Sequence, residues 1–250
     1  MVKNNAVKIN IFKTEAEVLH SLVKYFVATA NEAIDKYGQF SVALSGGNSP
    51  KKLYELLSST VYQNQVQWPK VYFFFGDERY VPVTDTDSNY LMAKKTLFEP
   101  LQINAANIFA VDTSLPPAIA AAQYAATINT YFAGGEMKFD LILLGLGDNA
   151  HTASLFPFTP VLKDETITVK AVFLTDIKKY RITFTAPLIN QARNVAFLVY
   201  GQGKAAAVKN VIENATNIEN FPAQLIAPAN GTLQWFMDQA AASSLQSVYK

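Results

Sequence analysis

The stretch "FDLILLG", residues 139–145, constrains this chain more than any other. Its apolar side chains occupy consecutive positions, so a strand built from it buries both faces. Such strands sit in the middle of parallel sheets, and parallel strands must be joined by long crossovers, usually helices. The rest of the chain supplies both parts. "FSVAL" (40–44), "KVYFFFG" (70–76) and "NVAFLVYG" (194–201) read as further buried strands, while "AVKINIF" (6–12) alternates and reads as a shorter one. "NIFAV", "TITVKAVFL" and "RITFTA" are additional strand candidates.

Helices are predicted between them. Residues 14–38 form a long amphipathic segment, with Thr14 placed to cap it, Glu17 to reach back to the cap and Gly38 to end it. "SGGNSPKKLYELL" turns into a helix with Ser49 at the N-cap and Pro50 at the first helical position. "DSNYLMAKKTLF" is capped by Asp87 or Ser88, and "PPAIAAAQYAATINTYFAG" runs from proline to glycine. "GKAAAVKNVIEN" and "TLQWFMDQAAASS" read as closing helices. Alternating strands and helices predict an α/β fold: a doubly wound, Rossmann-like parallel sheet with helices on both faces. With no repeat, linker or low-complexity segment, residues 1–250 read as a single domain.

Composition removes several functions. A net charge of +1 gives no electrostatic footprint for nucleic acid, and no basic run suggests a membrane surface. No apolar stretch approaches the roughly 20 residues needed to span a bilayer, and the N-terminal region lacks the apolar core of a secretory signal. The chain has no cysteine, which excludes disulfides, thiolate metal sites and cysteine nucleophiles and fits a reducing compartment. The expectation is a cytoplasmic protein.

Ligands of open α/β sheets bind beyond the carboxyl ends of the strands, and three loops there carry unusual residues. In "SGGNSP", Ser45, Gly46, Gly47, Asn48 and Ser49 precede a helix N-terminus; the loop is either a phosphate cradle or an ordinary turn. In "GDERYVP", Arg79 can clamp a phosphate or carboxylate while Asp77 and Glu78 orient it or meet sugar hydroxyls; a surface ion pair is the plainer alternative. "GLGDNAHTASLFP" fits G-x-G-x-x-A, yet Pro157 and Pro160 leave little room for the helix that a dinucleotide site requires. This loop contains His151, one of two histidines, whose ordinary pKa near 6.5 suits proton transfer at neutral pH. His20, in the first helix, has no chemistry nearby. G-x-S-x-G, a complete P-loop and HExxH are all absent, so no metal site is expected. Lys204 opens a helix after the last buried strand and can add a cation to an anion site.

Taken together, "LSGGNSPKKLYELL", "FFFGDERYVPVTDTDSNYLMAK", "FDLILLGLGDNAHTASLFP", "RITFTAPLINQARNVAFLVYGQGKAAAV" and "WFMDQAA" resemble the 6-phosphogluconolactonases, in order and over nearly the whole chain. The resemblance implies the fold shared by glucosamine-6-phosphate deaminase and ribose-5-phosphate isomerase. It implies hydrolysis of 6-phospho-D-glucono-1,5-lactone to 6-phosphogluconate, a step of the oxidative pentose phosphate pathway. No cofactor is expected, and the chain would be a monomer or homodimer. His151 would be the catalytic base; the "SGGNS" loop, Asp77, Arg79, Asn149, Arg181 and Lys204 would contact the phosphorylated sugar lactone.

The chain departs from the family pattern at several points. Asn149-Ala150 stands where the family has Asp-Gly, and Phe158 stands where it has Gly. Asn149 cannot be a carboxylate partner for His151, leaving Asp148 as a substitute, and Ala150 is strained if the loop needs φ > 0. Two rivals remain. A glucosamine-6-phosphate deaminase needs acids where this chain has Asn149 and Phe156; a non-catalytic phosphosugar sensor would bind without turnover.

Overall fold

A computed structural model describes residues 7–247. Strand β1 (Val7–Phe12) follows the alternating pattern; Ala6, placed in the same strand by sequence, lies outside the described residues. Helix α1 (Glu15–Tyr37) starts and stops on its local signals. Thr14 accepts the Glu17 N–H, and Gly38 closes the helix at φ 78°. The Glu17 carboxylate reaches past the cap to the Lys13 N–H, at 2.8 Å.

The buried strands form as their apolar runs require: β2 (Phe40–Leu44), β3 (Val71–Phe75), β5 (Leu141–Gly145) and β8 (Asn194–Val199). The sheet is completed by β9 (Thr232–Asp238), and its order is β1-β9-β8-β5-β2-β3, parallel throughout. β9 overturns the helix expected over "TLQWFMDQAAASS". Leu233, Trp235 and Met237 pack into the core of one face and Phe236 into the other. Period-2 burial suits a strand flanked on both sides; on a helix those three residues would not share a stripe. Trp235 stacks on Phe197 of β8 at 3.9 Å between ring centroids.

The same alternation divides β5 between the two faces. Leu141 and Leu143 meet α1 and α2 (Asn48–Leu57), whereas Ile142 and Leu144 meet α4 (Pro117–Tyr131) and α6 (Ala205–Ile212). Burying each such side chain contributes about 1.5–3 kcal/mol, which is why consecutive leucines place this strand centrally.

The sheet expected from sequence is only part of the β structure. β4 (Asp77–Arg79), β7 (Lys179–Phe184) and β6 (Val169–Leu174) form a separate antiparallel sheet in the order β4-β7-β6. "GDERYVP" therefore begins as a strand, and "TITVKAVFL" and "RITFTA" belong to this second sheet. "NIFAV" makes only one bridge, Ile108 to Phe73, and is not a strand. Helix α2 begins before the expected cap: Gly47, at φ 104°, is the cap residue, and Ser49 is already helical. Ser88 caps α3 (Asn89–Ala93), which passes into a π-turn over Lys94–Phe98. The short α5 (Ala186–Asn190) is capped by Thr185. No helix among the described residues is long and apolar enough to cross a membrane.

Candidate active site

The carboxyl ends of β2, β5 and β8 meet the antiparallel sheet around a cavity of ≈ 420 Å³. Ser45, Gly46, Gly47, Asn48, Ser49, Asp77, Arg79, His151, Arg181 and Lys204, all expected from sequence, line it. Asn149 does not; it stands behind the histidine.

The loop after β5 is shaped around His151. Asn149 Oδ1 accepts from Nδ1 of the ring at 2.5 Å. This contact assigns the proton to Nδ1 and leaves Nε2 with the lone pair. One face of the ring stacks on Phe156, with centroids 3.9 Å apart and planes 18° from parallel. Gly147 also lies against the ring: a Cβ there would come within 2.1 Å of Cε1 and Nδ1. The second glycine of "GLGDNA" thus makes room for an imidazole, not a dinucleotide. Ala150 adopts φ 61° and Ala153 φ 47°, so the strain anticipated at Ala150 is present; Phe158 is at φ 61° as well.

The ring sits among positive charges. Burial, then Lys204, with smaller contributions from Arg181 and Arg79, pushes His151 down to about 4, against a raising contribution from Asp148. It is therefore neutral at physiological pH, well below the ordinary value near 6.5. Asp148 does not take the partner role suggested for it: its carboxylate binds Lys204 Nζ at 2.6 Å.

Arg79 and Arg181 are paired directly across β4 and β7. Like charges in this relation repel unless something compensates them, and among the described residues neither guanidinium makes a salt bridge with a carboxylate. Each instead donates to a backbone carbonyl, Arg79 to Asp87 and Arg181 to Tyr180. Burial and the neighbouring Arg79 both lower the Arg181 pKa. Across the cavity, α2 opens with no side-chain cap, presenting Asn48 and Ser49 at its N-terminus. Two guanidiniums, an ammonium and a helix N-terminus face one space, an arrangement whose charge and donors suit an anion.

The acids have divided roles. Asp77 lines the cavity and accepts from Ser154 Oγ at 2.7 Å. Glu78 is turned away and accepts the N–H groups of Arg79, Asn89 and Tyr90, so it caps α3 and does not face a sugar. Burial pushes its carboxyl up to about 7. Gly46 is fixed by the same neighbourhood: a Cβ there would lie 1.8 Å from Asn89 Oδ1.

Sequence reasoning missed three supports. Ser154 orients Asp77. Phe156, which in sequence marks only the lack of an acid, is the platform for the histidine. Asp238 at the end of β9 accepts the Gly201 N–H at 3.0 Å and so steadies the turn that presents Lys204. Nothing local marks Asp238, because its role depends on β9 lying beside β8. Among the described residues no group of three or more His, Asp or Glu side chains could hold a metal ion.

The family model described as glucosamine-6-phosphate isomerases/6-phosphogluconolactonase matches residues 13–235. A 6-phosphogluconolactonase of Synechocystis sp. is 43% identical over 221 residues, covering 86% of this chain and 88% of its own. One from Haemophilus influenzae is 36% identical, with 85% and 95% covered. The solved 6-phosphogluconolactonase from Trypanosoma cruzi superposes with a TM-score of 0.85 at 26% identity, covering 98% of each chain. A monomeric glucosamine-6-phosphate deaminase shares the fold, with a TM-score of 0.82 at 19% identity over 96% of this chain and 100% of its own. With the cavity, its histidine and its two arginines, these matches show that the chain belongs to the glucosamine-6-phosphate isomerase/6-phosphogluconolactonase family.

Proposed function

We propose that this chain hydrolyses 6-phospho-D-glucono-1,5-lactone to 6-phosphogluconate, with His151 as general base. The observation that carries the reading is a neutral histidine, its Nε2 free to accept a proton, in the same cavity as Arg79, Arg181 and Lys204. The cations and the α2 N-terminus hold the phosphate, and remote binding of this kind supplies orientation at the reacting carbon. His151 Nε2 takes a proton from water as the water oxygen bonds to C1. The tetrahedral oxyanion collapses with cleavage of the bond from C1 to the ring oxygen, which receives the proton back from His151. A positioned base of this type contributes roughly 10²–10⁴-fold. The lactone is an activated ester, so no covalent intermediate is required.

The relatives named 6-phosphogluconolactonase support this over deamination. So does Phe156: the position where a deaminase would need an acid holds a ring stacked on His151.

The test is hydrolysis of freshly made lactone, coupled to 6-phosphogluconate dehydrogenase, with the spontaneous rate subtracted. His151→Ala should lose roughly 10²–10⁴-fold. If wild type only matches the spontaneous rate yet binds 6-phosphogluconate, the chain is a sensor; ammonia release from glucosamine 6-phosphate would point to the deaminase.

A further inference from the structure

The cavity holds the proposed base and the three cations of the anion site together, and the two act on each other. The charged side chains lining the cavity or pairing with those that do are Asp77 and Arg79 on β4, Arg181 on β7, Asp148 in the histidine loop and Lys204 beyond β8; behind the arginines, Glu78 accepts three backbone N–H groups and Asp87 pairs with Lys179, and both carboxyls act on Arg181 from outside the cavity. Asp77 is occupied by Ser154, and Asp148 by Lys204. Arg79 and Arg181 have no carboxylate partner in the described structure and face each other in register. At His151 the three cations Lys204, Arg181 and Arg79 act together against a single nearby carboxylate, Asp148, and so oppose protonation of the ring. Its hydrogen-bonding partner is an amide, and an amide cannot offset that field as a carboxylate would.

We propose that the phosphate of the substrate serves the chemistry as well as the binding: by compensating Arg79, Arg181 and Lys204, it strengthens His151 as a proton acceptor, so that a phosphorylated lactone completes the catalytic centre that hydrolyses it. This rests on the function proposed above. The enzyme would then reject lactones without phosphate twice, once in KM and again in kcat. It also gives a role to Asn149, since the negative charge that a carboxylate would supply permanently arrives here with the substrate.

The coupling is reciprocal. Whatever factor a bound dianion adds to the proton affinity of His151, a proton on His151 adds to the affinity for the dianion. Sulfate is the probe, because it remains a dianion over the whole range of interest and carries no lactone. His151 is titrated by NMR with and without saturating sulfate, using His151→Ala to separate its signal from that of His20. The free midpoint is expected at about 4. With sulfate it should move upward by about one pH unit, a tenfold gain in proton affinity. Sulfate should bind more tightly to wild type as the pH falls, more steeply than to His151→Ala, in which the carboxyls Asp77, Glu78, Asp87 and Asp148 remain as the background common to both proteins. Sulfate should also accelerate enzymatic hydrolysis of unphosphorylated glucono-1,5-lactone several-fold.

An unchanged midpoint with sulfate bound overturns the inference, and so does failure of sulfate to bind. In either case the assay on the phosphorylated lactone decides the function separately: turnover with no midpoint shift leaves the hydrolase reading intact. A shift without turnover would leave an anion-coupled histidine in a protein that is not this hydrolase.

Discussion

Two glycine-bearing loops leave neighbouring parallel strands, and they use glycine for opposite purposes. After β2, Gly46 lets the backbone press against the buried Asn89, which is tied to Asp77 and to the Glu78 carboxylate. Gly47 then turns the chain, at φ 104°, into the open N-terminus of α2. After β5, Gly147 leaves space for the His151 ring, and no α-helix follows, only a single 3-10 turn at Pro160–Lys163. The first loop uses its glycines for close packing and for the turn into α2; the second uses one to admit an imidazole. The left-handed turns that follow in the second loop are made by Ala150, Ala153 and Phe158, which tolerate them poorly. This loop can carry such strain because the core anchors it: Ala150 and Leu155 are buried, and the Ala150 carbonyl accepts the Ala223 N–H at 2.9 Å.

Substituting the same residue in both loops breaks the comparison most sharply. Gly147→Ala should displace the His151 ring and reduce kcat by roughly 10²–10⁴-fold, with little change in the unfolding midpoint. Gly46→Ala should instead destabilise the protein by about 1–3 kcal/mol, as overpacking against a buried neighbour does, seen as a lower urea midpoint. If Gly147→Ala leaves kcat intact, the ring does not need the position seen here.

The next effect separates the histidine loop from the Glu78 cap. His151 has a folded pKa below its free value, so its contribution is fully present above pH 6.5 and is lost as the pH falls toward 4. Glu78 has a raised folded pKa, so its contribution is present below pH 4.5 and is lost as the pH rises through 7. The two oppose each other between these limits. His151→Ala removes one of them, so the stability of the variant relative to wild type should rise by about 2 kcal/mol as the pH falls from 6.5 to 4. Urea unfolding at several pH values measures it.

Asn149→Asp supplies the carboxylate that this loop lacks. It should raise the acid limb of kcat/KM by about one pH unit, the same sense as the expected effect of a bound dianion. An unmoved limb would mean that residue 149 only orients the ring. The smallest effects sharpen the account of strain. Phe158 is 71% exposed, so Phe158→Gly relieves its left-handed backbone with little packing lost and should stabilise by about 0.5–1 kcal/mol. Ala150→Gly also loses a buried methyl group and should change stability less, which thermal unfolding can compare.

Much of the fold was legible because its signals are local. The Thr14 cap, the Gly38 stop and the two-faced burial of "LILL" each depend on neighbours in the chain. The helix expected at 232–244 failed because "TLQWFMD" becomes a strand only when β1 and β8 flank it. The site divides in the same way. His151, Arg79 and the "SGGNS" loop stand out from their positions after buried strands, whereas Arg181 was available only through family resemblance. Its relation to Arg79 arises from an antiparallel sheet that the alternation of strands and helices does not announce.

By itself, then, the sequence determined which segments bury two faces, where most of their helices begin, and which loops carry a histidine and cations to the strand ends. Only the tertiary structure decided that Asn149, Phe156 and Gly147 hold the imidazole, that Asp148 answers to Lys204, and that two arginines confront each other. Burial and capping are written in short stretches of chain, but an electrostatic field is the sum over groups that only folding brings within a few ångströms.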